Sequence, residues 1–144
     1  MSRNDPTEPY EIIWLVRRLF RALSQKSAEQ LVTFGISVAE RAVMEFLYPK
    51  EALSVPEIAE RYQVSRQHIQ VTVNSLLEQG LAVSRQNPRH KRSSLIQLNA
   101  KGRGLFETVL KQDRKIVDAL FCDISKTNVR ITRQTLQALL DALT

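Results

Sequence analysis

Residues 54–98 read SVPEIAERYQVSRQHIQVTVNSLLEQGLAVSRQNPRHKRSSLIQL, and this stretch predicts two short helices. Ser54 opens the first helix with a capping box, because Glu57 stands three residues further on. Ser65 is the N-cap of the second helix, and Gly80 ends it, since glycine readily adopts a left-handed conformation. The apolar residues of the second helix recur at the spacing of one face: Ile69, Val73, Leu76 and Leu77. Two short helices joined by a turn of about four residues form a helix-turn-helix.

The residues after the second helix predict a β-hairpin with a basic tip. Residues 81–85 and 94–98 are the strands, and the tip, 86–93, contains a turn-forming Asn-Pro pair. Residues 79–106 contain no acidic side chain. The cations in that range are Arg85, Arg89, Lys91, Arg92, Lys101 and Arg103. A basic run is usually a solvated face, but directly after a helix-turn-helix it favours a wing that contacts DNA.

Composition is typical of one globular domain of 144 residues, with 43% hydrophobic and 25% charged residues. The net charge of +6 favours an anionic partner. The polar, proline-containing N-terminus is unlike a signal peptide, and no apolar stretch has the length needed to cross a bilayer, so we expect a cytoplasmic protein with no membrane partner. The single cysteine, Cys122, excludes an intrachain disulfide, and we expect it to be buried and inert.

The flanking segments predict further helices. The first runs from about residue 9 to residue 24, and residues 28–34 form a short, ambiguous segment. Ser37 and Glu40 form a second capping box before a helix that ends at Pro49 and buries Val43, Phe46 and Leu47. Asn99 caps a long helix that extends to about Cys122, and Ser125 caps the final helix.

Both ends of the chain carry apolar stripes that one chain of this size would have difficulty covering. We therefore expect a homodimer with an interface of more than about 2,000 Å². The expected interface residues are Ile12, Leu15, Val16, Leu19, Val117, Leu120, Leu136, Leu139, Leu140 and Leu143. Two recognition helices related by a two-fold axis meet major grooves about 34 Å apart, which predicts a pseudopalindromic target. The alternative is that the stripes form intramolecular core.

The expected fold is mainly α with a small β-hairpin wing: a winged helix-turn-helix with N- and C-terminal dimerisation helices. Residues 1–36 would form the N-terminal dimerisation helix and linker, 37–99 the winged helix-turn-helix, and 100–144 the C-terminal dimerisation helices, within a single compact domain.

The second helix leaves a polar face for DNA. Gln70 and Asn74 can pair with adenine, and Val71 can contact a thymine methyl, which favours a target rich in A·T steps. The wing supplies Arg92 for the minor groove, where narrow A·T tracts attract arginine. The complete candidate set for DNA is Ser65, Arg66, Gln67, His68, Gln70, Val71, Asn74, Arg85, Arg89, His90, Lys91 and Arg92. The alternative for each residue is plain solvated surface.

Catalysis has little support in the sequence. The two histidines, His68 and His90, both lie in the candidate DNA-reading region. The chain has no H-E-x-x-H motif, no glycine-rich phosphate loop and no nucleophile in a recognisable setting. We expect no enzyme activity, no metal and no cofactor.

The order of these elements resembles the MarR-type (multiple antibiotic resistance regulator) winged-helix transcription factors, over nearly the whole chain. The matching positions are Gly80, Leu81, Arg85, Pro88, Arg92, Leu98 and Gly102. There are three departures. His90 replaces a wing aspartate that usually holds the wing arginine, Asn99 replaces a threonine, and Val71 stands where the recognition helix often carries arginine. The histidine predicts a looser wing.

The resemblance also implies a repressor that is relieved by a small amphipathic effector. The candidate effector residues are Trp14, Phe34, Phe46 and Phe106, for which the alternative is core packing. Two other functions remain open. An architectural or nonspecific nucleic-acid binder would show little sequence preference, and a winged helix that binds protein partners would show no steep salt dependence toward DNA.

Overall fold

Six helices and a small sheet make up residues 7–144, the part of the chain that this computed structural model describes. The elements are α1 Glu8–Phe34, α2 Val38–Leu47, β1 Leu53–Ser54, α3 Val55–Tyr62, α4 Arg66–Glu78, β2 Ala82–Arg85, β3 Leu95–Leu98, α5 Ala100–Phe121 and α6 Lys126–Leu143. This confirms the predicted winged helix-turn-helix. Residues 1–6, on which the signal-peptide expectation partly depends, lie outside the described residues. The chain divides into two compact units, one ending at Glu107 and the other Thr108–Thr144.

Two complete capping boxes start helices α2 and α3, as the Ser-x-x-Glu spacing predicts. The Ser37 hydroxyl accepts from the Glu40 N–H at 3.1 Å, and the Glu40 carboxylate accepts from the Ser37 N–H at 3.3 Å. In the second box, the Ser54 hydroxyl accepts from the Glu57 N–H at 3.3 Å, and the Glu57 carboxylate accepts from the Ser54 N–H at 2.8 Å. Each box satisfies N–H groups that the helix itself leaves without a partner.

Helix α1 is longer than its hydrophobic pattern indicates. The prediction of an end near residue 24, followed by a separate short segment, was wrong, because one helix runs from Glu8 to Phe34. Between Pro9 and Gly35 there is no glycine or proline to interrupt its hydrogen bonds, and an exposed helix tolerates polar residues there. Gly35 ends the helix with a φ of 71°, in the left-handed region.

The sheet has three antiparallel strands in the order β1-β3-β2. The hairpin strands β2 and β3 were predicted, and they pair from Ala82 opposite Leu98 to Arg85 opposite Leu95. Strand β1 was missed. It has only two residues, Leu53 and Ser54, which is too short for a periodic pattern, and it pairs with the far side of β3.

The core of the first unit lies between α2, α3, α4 and the sheet. The predicted residues Val43, Leu47, Ile69, Val73 and Leu76 are fully buried, whereas Phe46 and Leu77 are only half-buried. Further buried apolar residues are Met44, Ile58, Ala82, Ile96, Leu98 and Phe106. Thr72 is also buried, and its hydroxyl donates to the His68 carbonyl at 3.0 Å, which makes a polar side chain compatible with this face.

The ten residues expected at a dimer interface are all exposed in the single chain, from 37% for Leu139 to 85% for Leu143. Cys122 is exposed as well, so the expectation that it is buried was wrong. It follows the end of α5, where Val117 and Leu120 are also about half exposed. Within residues 7–144, no helix combines the length and apolar character needed to cross a membrane.

Gly102 lets the start of α5 lie directly against Leu81, three residues after the end of α4. A Cβ at Gly102 would overlap the carbonyl oxygen of Leu81 and come within 3.2 Å of a Leu98 methyl. At Gly104, two residues along the same helix, a Cβ would meet nothing within 4 Å.

The two glycines predict opposite effects of the same substitution. Gly102→Ala should lower the free energy of unfolding by about 1–3 kcal/mol, because the added methyl forces α5 away from Leu81. Gly104→Ala is the control, and it should raise stability by up to about 1 kcal/mol, since alanine is the better helix former. Urea unfolding of both variants measures the difference. Equal effects of the two substitutions would contradict the close approach.

Candidate nucleic-acid interface

The turn between α3 and α4 sets the direction of α4. Gln63 adopts a left-handed conformation, with a φ of 58°, and its N–H donates to the Glu60 carbonyl at 3.3 Å. The next N–H, of Val64, donates to the Ala59 carbonyl at 3.2 Å. These bonds close the end of α3 without a glycine. The sequence carries no signal for this turn at Gln63, because glutamine has no special preference for positive φ.

Ser65 caps the N-terminus of α4, as predicted. Its hydroxyl accepts from the His68 N–H at 3.1 Å. The first turn of α4 contains no acidic residue, and it begins with Arg66. The positive end of the helix dipole and a guanidinium therefore lie together, an arrangement that favours an anionic group such as a phosphate.

The outer face of α4 exposes all the side chains that were predicted to read bases. Burial of the opposite face leaves Arg66, Gln67, Gln70, Val71 and Asn74 on the surface, with Val71 65% exposed. The Gln70 amide nitrogen donates to the Asn74 side-chain oxygen at 2.8 Å. This bond orients both amides, and it leaves the Gln70 oxygen and the Asn74 nitrogen to face an acceptor–donor edge such as that of adenine.

Asn87 organises the tip of the wing. Its side-chain oxygen accepts from the Arg89 N–H at 3.0 Å, and its carbonyl accepts from the His90 N–H at 3.3 Å. A further turn follows, in which the Ser93 N–H donates to the His90 carbonyl at 3.4 Å. The bond from the Arg89 N–H to the Asn87 side chain forms an Asx-turn, in agreement with the turn that the Asn-Pro pair predicts. His90 itself is exposed at the tip.

Helix α4 and the wing meet at two adjoining grooves. The first, of about 760 Å³, is lined by Arg66 from α4 and by Arg89, His90 and Arg92 from the wing, with Glu57 at the start of α3. The second, of about 470 Å³, is lined by Arg66, Gln67, Gln70 and Arg92, together with residues of β2 and β3. Arg66 and Arg92 line both grooves, so the structure brings the predicted helix and wing residues together.

Three further DNA candidates are exposed but line neither groove. His68 is in the first turn of α4, Arg85 is the last residue of β2, and Lys91 is at the wing tip. Since no acidic residue occurs from 79 to 106, the wing adds positive charge without compensation of its own. The surface suits a polyanion that extends over both helix and wing.

The four effector candidates have different surroundings. Phe106 is fully buried and packs against Tyr48, with ring centroids 5.1 Å apart. Phe46 is half-buried and packs against Tyr62 at 5.8 Å. Phe34, the last residue of α1, is half-buried. Trp14 is 59% exposed on α1, and the Arg18 guanidinium lies over its ring at 4.9 Å.

Comparison with known proteins identifies the family. The MarR family model matches residues 34–93, which include the helix-turn-helix and most of the wing. An uncharacterized protein of Mycobacterium tuberculosis, Rv2011c, is 33% identical over 135 residues, covering 92% of this chain and 94% of that protein. The chain belongs to the MarR family. Membership places it among DNA-binding transcription regulators.

One further relative and two solved structures are also similar to this chain. The HTH-type transcriptional regulator MhqR of Bacillus subtilis is 21% identical over 123 residues, which cover 85% of each chain. The crystal structure of the MarR family transcription regulator SP03579 has a TM-score of 0.89 at 20% identity, covering 94% of this chain and 90% of that one. MepR of Staphylococcus aureus, in its complex with DNA, has a TM-score of 0.77 at 20% identity, covering 91% and 96%. These structures share the fold.

Glu57 also lies in this site, although its place there was not predicted from the sequence. The Ser54 N–H, at 2.8 Å from the Glu57 carboxylate, lowers the pKa of Glu57, and the positive charges of Arg61 and Arg89 act in the same direction against partial desolvation. The capping box was predicted from the spacing, but its position opposite the wing arginine depends on the folded hairpin. Glu57 is therefore the negative group that faces Arg89 across the first groove.

Glu57→Gln tests whether the negative charge of Glu57 stabilises the fold. Glutamine removes the charge but can still accept the hydrogen bond from the Ser54 N–H. The lowered native-state pKa means that the charge stabilises the fold above the unfolded-state pKa of about 4.3 and ceases to do so as the pH falls through the lower native-state value. We expect the variant to have a lower melting temperature than the wild type at pH 7, and the difference to shrink below about pH 4. Thermal unfolding followed by circular dichroism measures it. A constant difference at every pH would contradict an electrostatic role.

Proposed function

We propose that this MarR-family protein is a homodimeric repressor that binds a pseudopalindromic operator in double-stranded DNA with sequence specificity. The observation that carries the proposal is the pair of adjoining grooves, where Arg66 of the recognition helix and Arg92 of the wing line the same surface. A duplex offers a base-lined major groove and an adjacent minor groove at the spacing of a helix and its wing.

Each element then has a separate role. The α4 face enters the major groove, where Gln70 and Asn74 bind adenine edges and Val71 contacts a thymine methyl. Arg92 enters the neighbouring minor groove, where the negative potential of A·T tracts is strongest. Ser65 and the first turn of α4 bind a phosphate, as do Arg89 and Lys91. The remaining candidates, Gln67, His68, Arg85 and His90, lie at the edges of this contact.

Dimerisation accounts for the exposed apolar side chains of the terminal helices. Leu15 and Leu19 of α1, Leu120 of α5 and Leu140 of α6 each expose more than half of their surface. Large exposed apolar patches are rare in proteins that stay monomeric. A two-fold dimer buries the same patch on both copies and places two recognition helices at successive major grooves.

Relief of repression by a small amphipathic effector is part of the proposal. Trp14 and Phe34 retain exposed surface, which supports them as effector contacts over Phe106, whose ring is fully buried. A relative of the same fold, MepR, is described as a transcription regulator of the multidrug efflux pump MepA of Staphylococcus aureus. We place the protein in the cytoplasm with its DNA and propose no catalytic activity.

Selection from a random duplex library by the purified protein tests the function. We expect enrichment of a pseudopalindrome whose half-sites have centres about 34 Å apart, since two copies read it. Binding to the enriched site should be at least about 10³-fold tighter than to bulk DNA. Sedimentation of the free protein should give twice the chain mass. Binding without enrichment would favour the architectural alternative, and a stable monomer would contradict the dimer.

Arg92→Ala tests the role of the wing. We expect weaker binding to the enriched site and a salt slope that is smaller by about one unit, because one cation no longer displaces a counterion. Arg133→Ala removes the same charge from exposed α6 and serves as the control, which should bind as the wild type does. Fluorescence anisotropy over a series of salt concentrations gives both slopes. If the two variants behave alike, Arg92 does not contact the duplex.

A further inference from the structure

Three successive carbonyls after α4 are hydrogen-bonded by the residues that begin α5. The Gln79 carbonyl accepts from the Lys101 ammonium at 3.4 Å, and the Gly80 carbonyl accepts from the Asn99 side-chain nitrogen at 2.7 Å. The Leu81 carbonyl accepts from the Asn99 backbone N–H at 3.2 Å. These carbonyls follow the last residue of α4, so the donors from Asn99 and Lys101 connect the segment that leaves α4 to the start of α5.

We call this contact between residues 79–81 and the start of α5 the joint. Both ends of the Asn99 side-chain amide take part in it. While its nitrogen donates to Gly80, its oxygen accepts from the Gly102 N–H at 2.8 Å and so caps α5. A single side chain therefore binds the exit of α4 and the entrance of α5. An aspartate at this position would still accept from the Gly102 N–H, but it would have no N–H to donate to the Gly80 carbonyl. A serine would have a single oxygen on a shorter side chain, which can cap α5.

The same end of α4 is also held from α2. The Gln79 side-chain nitrogen donates to the Glu40 carboxylate and to the Ser75 hydroxyl, the second at 3.2 Å. Glu40 is itself fixed, because its other oxygen accepts from the Ser37 N–H. The C-terminal end of α4 is thus held by α2 and α5, and neither Asn99 nor Glu40 lines either groove.

We propose that Asn99 is a positioning residue for the DNA-reading surface, which sets the angle at which α4 is presented by joining its end to the start of α5. This inference rests on the proposed function. Asn99 lines neither groove, so its effect on DNA is indirect. Helix α5 continues from this joint to Phe121 and carries two of the residues proposed for the dimer interface, Val117 and Leu120.

The test uses the enriched operator and two derivatives, in which the half-sites are one base pair closer or one further apart. The wild-type protein should strongly prefer the original spacing. Asn99→Asp should bind the original operator about tenfold more weakly, because a donor to Gly80 becomes an acceptor beside it. It should also discriminate less between the three spacings, since α4 is no longer held at one angle. Its salt slope should be unchanged, because no phosphate contact is lost.

Two further variants separate positioning from stability. Asn99→Ser keeps a cap for α5 without the bond to Gly80, and it should change the spacing preference in the same direction. Leu31→Ala removes a buried side chain of α1 that takes no part in these hydrogen bonds, so it should lower the melting temperature and leave the spacing preference unchanged. Sedimentation confirms that each variant remains a dimer, and melting curves confirm that each is folded.

The outcomes distinguish the inference from the function on which it rests. If the wild type selects an operator and both Asn99 variants keep its affinity and its spacing preference, the positioning role is wrong and the proposed function stands. If the Leu31 variant loses spacing preference equally, the effect belongs to general stability and the inference is also overturned. If the wild type enriches no duplex, the proposed function fails and the inference fails with it.

Discussion

Burial of one face of α4 is the constraint on which the rest of this structure depends. Ile69, Val73 and Leu76 are completely buried against the packed helices α2 and α3 and the hairpin. Each such side chain contributes about 1.5–3 kcal/mol when it leaves water. Because an α-helix has 3.6 residues per turn, the same packing turns the side chains between them outward. The polar face of α4, with Gln70 and Asn74, is thus a direct consequence of the core.

The two ends of α4 are held by different chemistry. The N-terminal end has a local cap from Ser65, and it lies beside Arg66 with no acidic residue in its first turn. The C-terminal end is held by long-range hydrogen bonds, in which Asn99 donates to the Gly80 carbonyl and the Gln79 side-chain nitrogen donates to the Glu40 carboxylate. A helix that is fixed at both ends presents a rigid surface, which is what base recognition requires, since a hydrogen bond depends on distances good to a few tenths of an ångström.

Charge and apolar surface are separated along the chain. The wing and the start of α4 carry an excess of positive charge, which Glu57, the acidic side chain in the lining of the first groove, offsets only in part. The apolar side chains of α1 and α6 are exposed in the single chain. The first surface suits a polyanion, and the second suits another copy of the same patch.

Sequence alone determined the features that depend on neighbours a few residues apart. The caps at Ser37, Ser54 and Ser65, the buried stripe of α4 and the hairpin strands follow from local hydrogen bonds and from hydrophobic periodicity. Only the tertiary structure decided the pairing of β1 with β3, the left-handed turn at Gln63 and the double role of Asn99. The strand pairing and the contacts of Asn99 join residues far apart in the chain, which only the packing of the core brings together. The turn at Gln63 is local, but glutamine has no preference for positive φ that would predict it.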